Sequence, residues 1–395
     1  MSRVYALLVG ILLTLPVSAK EHREVATPTV EEVQQLLSSV QDLVEYYYVD
    51  SVDRQKMVEG ALKGMLTSLD PHSTYLSEQT LELLREANRG HYYGYGIEVS
   101  VEEGQIQVIT PLAHSSAALA GVMPGDILMQ VDHIVATPES LDELIHYIKA
   151  SSQDDKALQV TLSRNSTDDP VIVMLEPSNI TIDSAQFFEL GNQVAYVQIT
   201  SFNRQTATQV AQFARQMKAL GNQQLVLDLR NNPGGLFDSA VQIADMFLSS
   251  GLIVSTHGRF LDANSDYYAS DSMLFDNIEV VILINEGSAS AAEILAGALK
   301  DHDRATLMGQ QSFGKGTVQS LIPLLSEQGA IKLTTARYAT PSGEFINKVG
   351  ITPDINVLVE KSTKPHIMTA QQAKENWQKD SQLYAAYDWL LQDRD

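Results

Sequence analysis

The sequence contains no cysteine, which excludes thiol nucleophiles, thiolate zinc sites, disulfide scaffolds and a lipid-bearing N-terminal cysteine. Basic residues are scarce: 27 Lys and Arg against 49 Asp and Glu give a formal charge of -22 over 395 residues. Phosphate backbones are held by clustered Lys and Arg, so nucleic acid is an unsuitable partner, and so is an acidic membrane surface. The nine histidines show no H-E-x-x-H or other ligand spacing, and no G-x-x-x-x-G-K-[ST] phosphate loop occurs. Gly94-Tyr95-Gly96 lacks the third glycine of a dinucleotide fingerprint. No metal and no cofactor is expected.

What is present is enough apolar residue, 44%, for two or three cores. Arg3, an apolar run over residues 4–15, Pro16 and Ser18-Ala19 have the layout of a cleaved secretory signal over 1–19. The run is too short to span a bilayer, which takes roughly 20 residues. An exported protein, in the bacterial periplasm and soluble once the signal is removed, is the expectation. The capping box Thr29-Val30-Glu31-Glu32 opens a helix with Val30, Val33, Leu36, Leu37, Val40 and Leu43 on one face. Two further helical patterns extend this segment over 26–89, as packing or dimerisation surface. Runs of β character and a box at Ser140-Leu141-Asp142-Glu143 make residues 92–178 a small α+β module. Over 180–356 the pattern turns to β-α repeats, an α/β core. Beyond 360 it thins to a polar tail in which Leu383, Tyr387 and Leu390 suggest one last helix.

Chemistry concentrates in that core. Ser290 follows the β-run ending Leu283-Ile284 and a glycine-containing turn, and it begins a helix with Ile294, Leu295 and Ala298 inward. A hydroxyl at such a turn projects from the carboxyl end of the sheet, beside amides that can hold an oxyanion. Ala291 N–H is the natural donor. Ser290-Ala291-Ala292-Glu293 equally fits the S-x-x-E box that merely starts a helix. The balance shifts with Phe313-Gly314-Lys315-Gly316-Thr317-Val318-Gln319, where a lysine stands between glycines at the entry to an apolar strand. Buried beside Ser290, Lys315 would lose its proton readily and act as the base. Gln319, four positions on, is expected on the same side, its amide orienting the amine. Asp228-Leu229-Arg230-Asn231-Asn232-Pro233-Gly234-Gly235 ends a strand in a turn from which Gly234 or Gly235 would supply the second oxyanion donor. Asp228 and Arg230 read as structural, and His302 as a solvated helix end.

These residues, together with Leu69-Asp70-Pro71-His72-Ser73-Thr74-Tyr75-Leu76, Gly121-Val122-Met123-Pro124-Gly125-Asp126 and Leu333-Thr334-Thr335-Ala336-Arg337-Tyr338, closely resemble the carboxyl-terminal processing peptidases, or tail-specific proteases. The resemblance implies a Ser290/Lys315 dyad supported by Gln319 and a crotonase-like α/β core. It further implies a PDZ domain inserted ahead of that core, and helical ends that assemble homo-oligomers. It also implies that protein C-termini are bound at the loop Gly94, Tyr95, Gly96 and Ile97, with the peptide added as a strand. An activating adaptor protein is an expected further partner. Three alternatives stand beside this. A silent or latent PDZ scaffold needs Ser290 or Lys315 missing or displaced. An acyl-CoA enzyme on the same core predicts a basic nucleotide pocket and no peptide module. A trypsin-like protease carries its His/Asp/Ser set ahead of its PDZ.

Overall fold

The computed structural model describes residues 28–102, 104–112, 115–164, 167, 169–324, 329–358, 374 and 376–392. The expected signal at 1–19 lies outside them, as does much of the tail after 360. The chain divides into two units, residues 1–61 and 62–395.

In the first unit, α1 (Val30–Tyr47) starts where expected. Thr29 Oγ1 accepts the Glu32 N–H at 3.2 Å while the Glu32 carboxylate takes the Thr29 N–H at 2.8 Å. Its apolar stripe is largely exposed among the described residues: Val30, Leu36 and Leu43 are each more than half exposed. Arg54, at the head of α2 (Arg54–Thr67), pairs with Glu45.

The second unit opens with β1 (Thr74–Leu76) and α3 (Glu78–Arg89), capped by Ser77 and closed by Gly90. The module follows. β2 (His91–Gly94) leads into β3 (Ile97–Glu102), β4 (Gln105–Pro111), the short α4 (Ser116–Leu119), β5 (Ile127–Val131) and β6 (Ile134–Val135). Then come α5 (Leu141–Gln153), β7 (Leu158–Ser163), β8 (Val171–Leu175) and β9 (Ser178–Thr181), which returns to pair with β2. The sheet order is β3-β4-β5-β7-β8, so β3 is an edge strand. Ile106, Val108, Leu128, Leu144, Leu158 and Leu162 fill the space between the sheet and α5. The box expected at Ser140 is not formed. Ser140 is already engaged in a Thr137–Ser140 box around the preceding 3-10 turn, so α5 begins without a side-chain cap.

The core begins with β10 (Ala185–Gly191), β11 (Val194–Ile199), α6 (Thr206–Leu220), β12 (Gln224–Asp228) and α7 (Phe237–Asp245). It continues through β13 (Leu252–Gly258), β14 (Ser265–Tyr268), β15 (Glu279–Ile284), α8 (Ala291–Asp301), β16 (Thr306–Gly309), β17 (Thr317–Pro323), β18 (Ala330–Ala339) and β19 (Ile355–Asn356). The main sheet runs β10-β11-β12-β15-β16-β19, parallel from β11 onward. Its strands are near-continuous apolar runs because both faces are covered. One face meets α6, α7 and α8 through Val210, Ile243, Ile282 and Leu295. The other meets the last helix, α9 (Ser381–Leu391), through Leu383, Ala386 and Leu390. The tail therefore supplies a layer of the core: burying a leucine of this kind is worth about 1.5–3 kcal/mol. A second sheet, β1-β18-β13-β14 with β17 also on β18, packs through β13 on α7 and α8.

Candidate active site

Parallel strands end where their loops can build a site, and β12 and β15 end side by side, Asp228 opposite Leu283. The two following loops are latched together. Asn231 N–H donates to Asn285 Oδ1 at 2.8 Å, and Asn285 Nδ2 returns a bond to Asn231 Oδ1 at 2.9 Å. Ser288 Oγ donates to Leu229 O at 2.8 Å, and Ala289 N–H to Asn232 O at 2.9 Å.

Ser290 stands at the head of α8 with φ 56° and ψ -116°, a conformation a β-carbon tolerates only at the cost of about 1–3 kcal/mol. Such strain persists where surrounding bonds over-determine it, and here they do. The Glu293 carboxylate, itself fully buried, accepts the Ser290 N–H at 2.8 Å. The same carboxylate accepts Ser312 Oγ at 2.6 Å, Gly314 N–H at 2.7 Å and Lys315 N–H at 2.9 Å. From the opposite side the buried Tyr338 hydroxyl donates to Lys315 O at 2.5 Å and Ser290 O at 3.2 Å. Two side chains thus clamp the backbones of Ser290 and Lys315 to each other.

The side chains are less closely joined. Among the described residues no hydrogen bond links Ser290 Oγ to Lys315 Nζ, and that amine makes no hydrogen bond or ion pair. Burial holds the Lys315 pKa below the ordinary amine range; the nearby Lys332 charge lowers it further, and Glu293 opposes both. His72 is held below its usual value by burial and then by Lys315, against Asp70. The turn residues 70–73 therefore lie beside the lysine, fixed by Ser73 Oγ, which donates to Asp70 Oδ2 and accepts from Thr334 N–H. Gln319 is not bonded to Lys315. β17 starts only at Thr317 and bulges between Val318 and Gln319, and the Gln319 amide turns back to Thr317 Oγ1 at 2.8 Å.

Two backbone amides beside Ser290 have no acceptor among the described residues, those of Ala291 and Gly235. Gly234 N–H is taken by Asn232 Oδ1 at 2.8 Å. Gly234 itself packs flush on the serine: at φ 99° a Cβ there would sit 2.7 Å from Ser290 Cβ and 2.8 Å from Ala289 O. At Gly235, φ 143°, it would meet Phe202 O at 2.1 Å. His302 is not a solvated end; its Nε2 reaches Leu252 O at 2.7 Å. Asp228 and Arg230 pair at 2.7 Å.

Sequence reasoning missed Glu293 and Tyr338 as site residues. Glu293 was visible only as a helix cap, and Tyr338 lay within a matching motif with no chemistry assigned. In the module, the Tyr95 and Gly96 amides carry no hydrogen bond among the described residues. They adjoin a cavity of about 330 Å³ lined by Ile97, Leu141, Leu144, Ile145 and Ile148.

A strained serine at a helix head, its backbone clamped to that of a half-buried lysine, is an arrangement capable of nucleophilic hydrolysis. Residues 193–357 match Peptidase family S41, and residues 15–80 match the Activating protease CtpB N-terminal domain. The chain is 39% identical over 318 residues to the carboxy-terminal-processing protease of Bartonella bacilliformis, spanning 80% of this chain and 72% of that one. It is 31% identical over 345 residues to carboxy-terminal processing protease CtpB of Bacillus subtilis, spanning 86% and 69%. Among solved structures it is similar to a photosystem II D1 C-terminal processing protease, with 28% identity, TM-score 0.48 and coverage of 84% and 94%. The protein is a serine-type peptidase. It belongs to peptidase family S41, among the carboxyl-terminal processing peptidases.

Proposed function

We propose that this chain is an exported endopeptidase that binds protein C-termini on the module at 92–178, of PDZ type, and cuts peptide bonds in a crotonase-like core with Ser290 and Lys315. Ser290 Oγ attacks the scissile carbonyl, neutral Lys315 takes its proton and returns it to the leaving amine, and water then releases the acyl group. Ala291 and Gly235 N–H hold the oxyanion; Gly235 is preferred to Gly234 because Asn232 occupies the Gly234 amide. Gln319 serves the base through the Thr317 end of β17, not by direct contact. The observation that carries the reading is the sharing of one buried carboxylate by the Ser290 and Lys315 backbones.

The module reading rests on an open edge strand, β3, beside an apolar groove with free amides at one end, which suits a terminal carboxylate and an added strand. The uncovered stripe of α1 supports a homo-oligomer; Leu36→Asp should reduce its mass by light scattering. Among the described residues no helix is long and apolar enough to cross a membrane.

The test is cleavage of an unstructured protein with an apolar free C-terminus, between about pH 5 and 9, below the ordinary lysine range. Loss in both Ser290→Ala and Lys315→Ala, with activity of the unmodified chain fading at low pH, is expected. Cleavage retained in Ser290→Ala refutes the mechanism.

A further inference from the structure

All five N–H groups of the Arg230 guanidinium are engaged. Nε donates to Asp228 at 3.0 Å, Nη2 to Asp228 Oδ2 at 2.7 Å and Asp380 Oδ2 at 2.8 Å. Nη1 donates to Asp380 Oδ1 at 2.9 Å and Gln382 Oε1 at 3.0 Å. Asp228 is 1% exposed, Arg230 14% and Asp380 19%, and the Tyr196 hydroxyl closes the group on Asp228 at 2.7 Å. Asp228 and Asp380 outweigh the burial and hold the Arg230 pKa raised.

This cluster joins α9 to the root of the loop that ends in Gly235. Beyond Arg230 the loop is held by Asn231 on Asn285 and by Asn232 Nδ2 on Ile199 O at 2.7 Å. The helix does not depend on the ion pair to dock, since Trp377, Leu383, Ala386 and Leu390 pack it on the sheet. A buried pair contributes little net stability over apolar packing, but a bidentate fork fixes direction as well as distance. We infer that Asp380 is a positioning residue for the peptidase reaction, holding through Arg230 the loop that aims the Gly235 amide at the reacting carbonyl. The inference rests on the role of Ser290 and its oxyanion donors proposed above.

Asp380→Asn is a clean perturbation. Asp380 also caps α9, accepting Gln382 and Leu383 N–H at 3.1 Å each, and asparagine caps as well as aspartate does. Its amide nitrogen, however, faces Nη2 donor to donor. In the full chain, assayed well below every unfolding midpoint, kcat on the unstructured protein should fall about tenfold or more, with KM held within about twofold. The affinity for a peptide aldehyde, whose serine adduct carries the oxyanion, should fall by the same factor as kcat. Leu390→Ala, at the far end of α9, should lower the unfolding midpoint and leave kcat unchanged. Unchanged kcat in Asp380→Asn, a rise in KM alone, or an equal loss of kcat in Leu390→Ala overturns the inference while Ser290-dependent cleavage stands. Cleavage that survives Ser290→Ala overturns both readings.

Discussion

Replacing Glu293 by glutamine removes one charge from the centre of the site and almost nothing from its volume. Its four donors divide two to each oxygen: Ser312 Oγ and Gly314 N–H on Oε1, Ser290 and Lys315 N–H on Oε2. The amide nitrogen would turn toward Ser312, whose hydroxyl can rotate to accept, because the other side offers two backbone donors that cannot. One buried N–H, that of Gly314, is then stranded at about 1–3 kcal/mol. The three surviving bonds lose their charge assistance, roughly another 1 kcal/mol each. Glu293→Gln should therefore destabilise the fold by about 4–6 kcal/mol, read as a lowered midpoint in denaturant unfolding. The pH profile gives an independent sign. Glu293 raises the Lys315 pKa, so removing its charge lowers that pKa further. The base stays deprotonated to lower pH, and the acid limb of kcat/KM moves down. A limb that stays in place or moves up, in a variant still folded at the assay temperature, would refute the coupling of Glu293 to the lysine.

Lys332→Met works in the other direction. Its charge lowers the Lys315 pKa, so its loss should move the acid limb up, with kcat at high pH nearly kept. Tyr338→Phe leaves the Ser290 and Lys315 carbonyls without their shared donor, and should cost about 1–3 kcal/mol of stability with a fall in kcat larger than any rise in KM. Gly234→Ala places a methyl against Ser290 Cβ at positive φ, and should lower kcat about a hundredfold; near-wild-type turnover would show that the loop can retreat. Ile145→Glu puts a charge into the module groove. It should raise KM for a substrate with an apolar C-terminus by about tenfold or more, and leave the cleavage of a short peptide without one unchanged.

Elements with a strong local signal were legible in the sequence. The parallel strand over 280–284 is an unbroken apolar run, that over 194–199 is interrupted only by Gln198, and α1 carries a complete capping box. β13, β14 and β18 were not, because their residues are only half apolar and gain strand partners far away in sequence, as in Ser255 opposite Ala339. The polar tail hid a core layer for a related reason: α9 buries few residues, and the sheet face they cover is visible only after folding. Ser290 and Lys315 stand out locally as a helix-starting serine and a lysine between glycines. The bonds that unite them do not, because Glu293 reaches across 22 residues to Lys315 and Tyr338 across 48 to Ser290.

The missing hydrogen bond between Ser290 Oγ and Lys315 Nζ bears on how this site becomes active. The contacts of a catalytic pair such as the one proposed commonly tighten only around substrate, but the clamp limits what is free to tighten. The backbones of both residues are held by Glu293 and Tyr338 through bonds of 2.5–3.2 Å. The strained Ser290 backbone cannot shift without breaking them. What remains free is the four-carbon arm of Lys315, half-buried, unpaired, and lying near His72 and Lys332. On the proposed mechanism, bringing Lys315 Nζ to Ser290 Oγ then requires only a change of side-chain rotamers, with no rebuilding of loops. A neutral amine can make that move, since it leaves no counter-ion behind and sheds a far weaker hydration shell than an ammonium, whereas a protonated one held beside the positive Lys332 cannot act on the hydroxyl as a base. On the proposed mechanism the depressed lysine pKa and the rigid clamp act together: the first favours the neutral form of the mobile group, and the second leaves its motion as the only one needed.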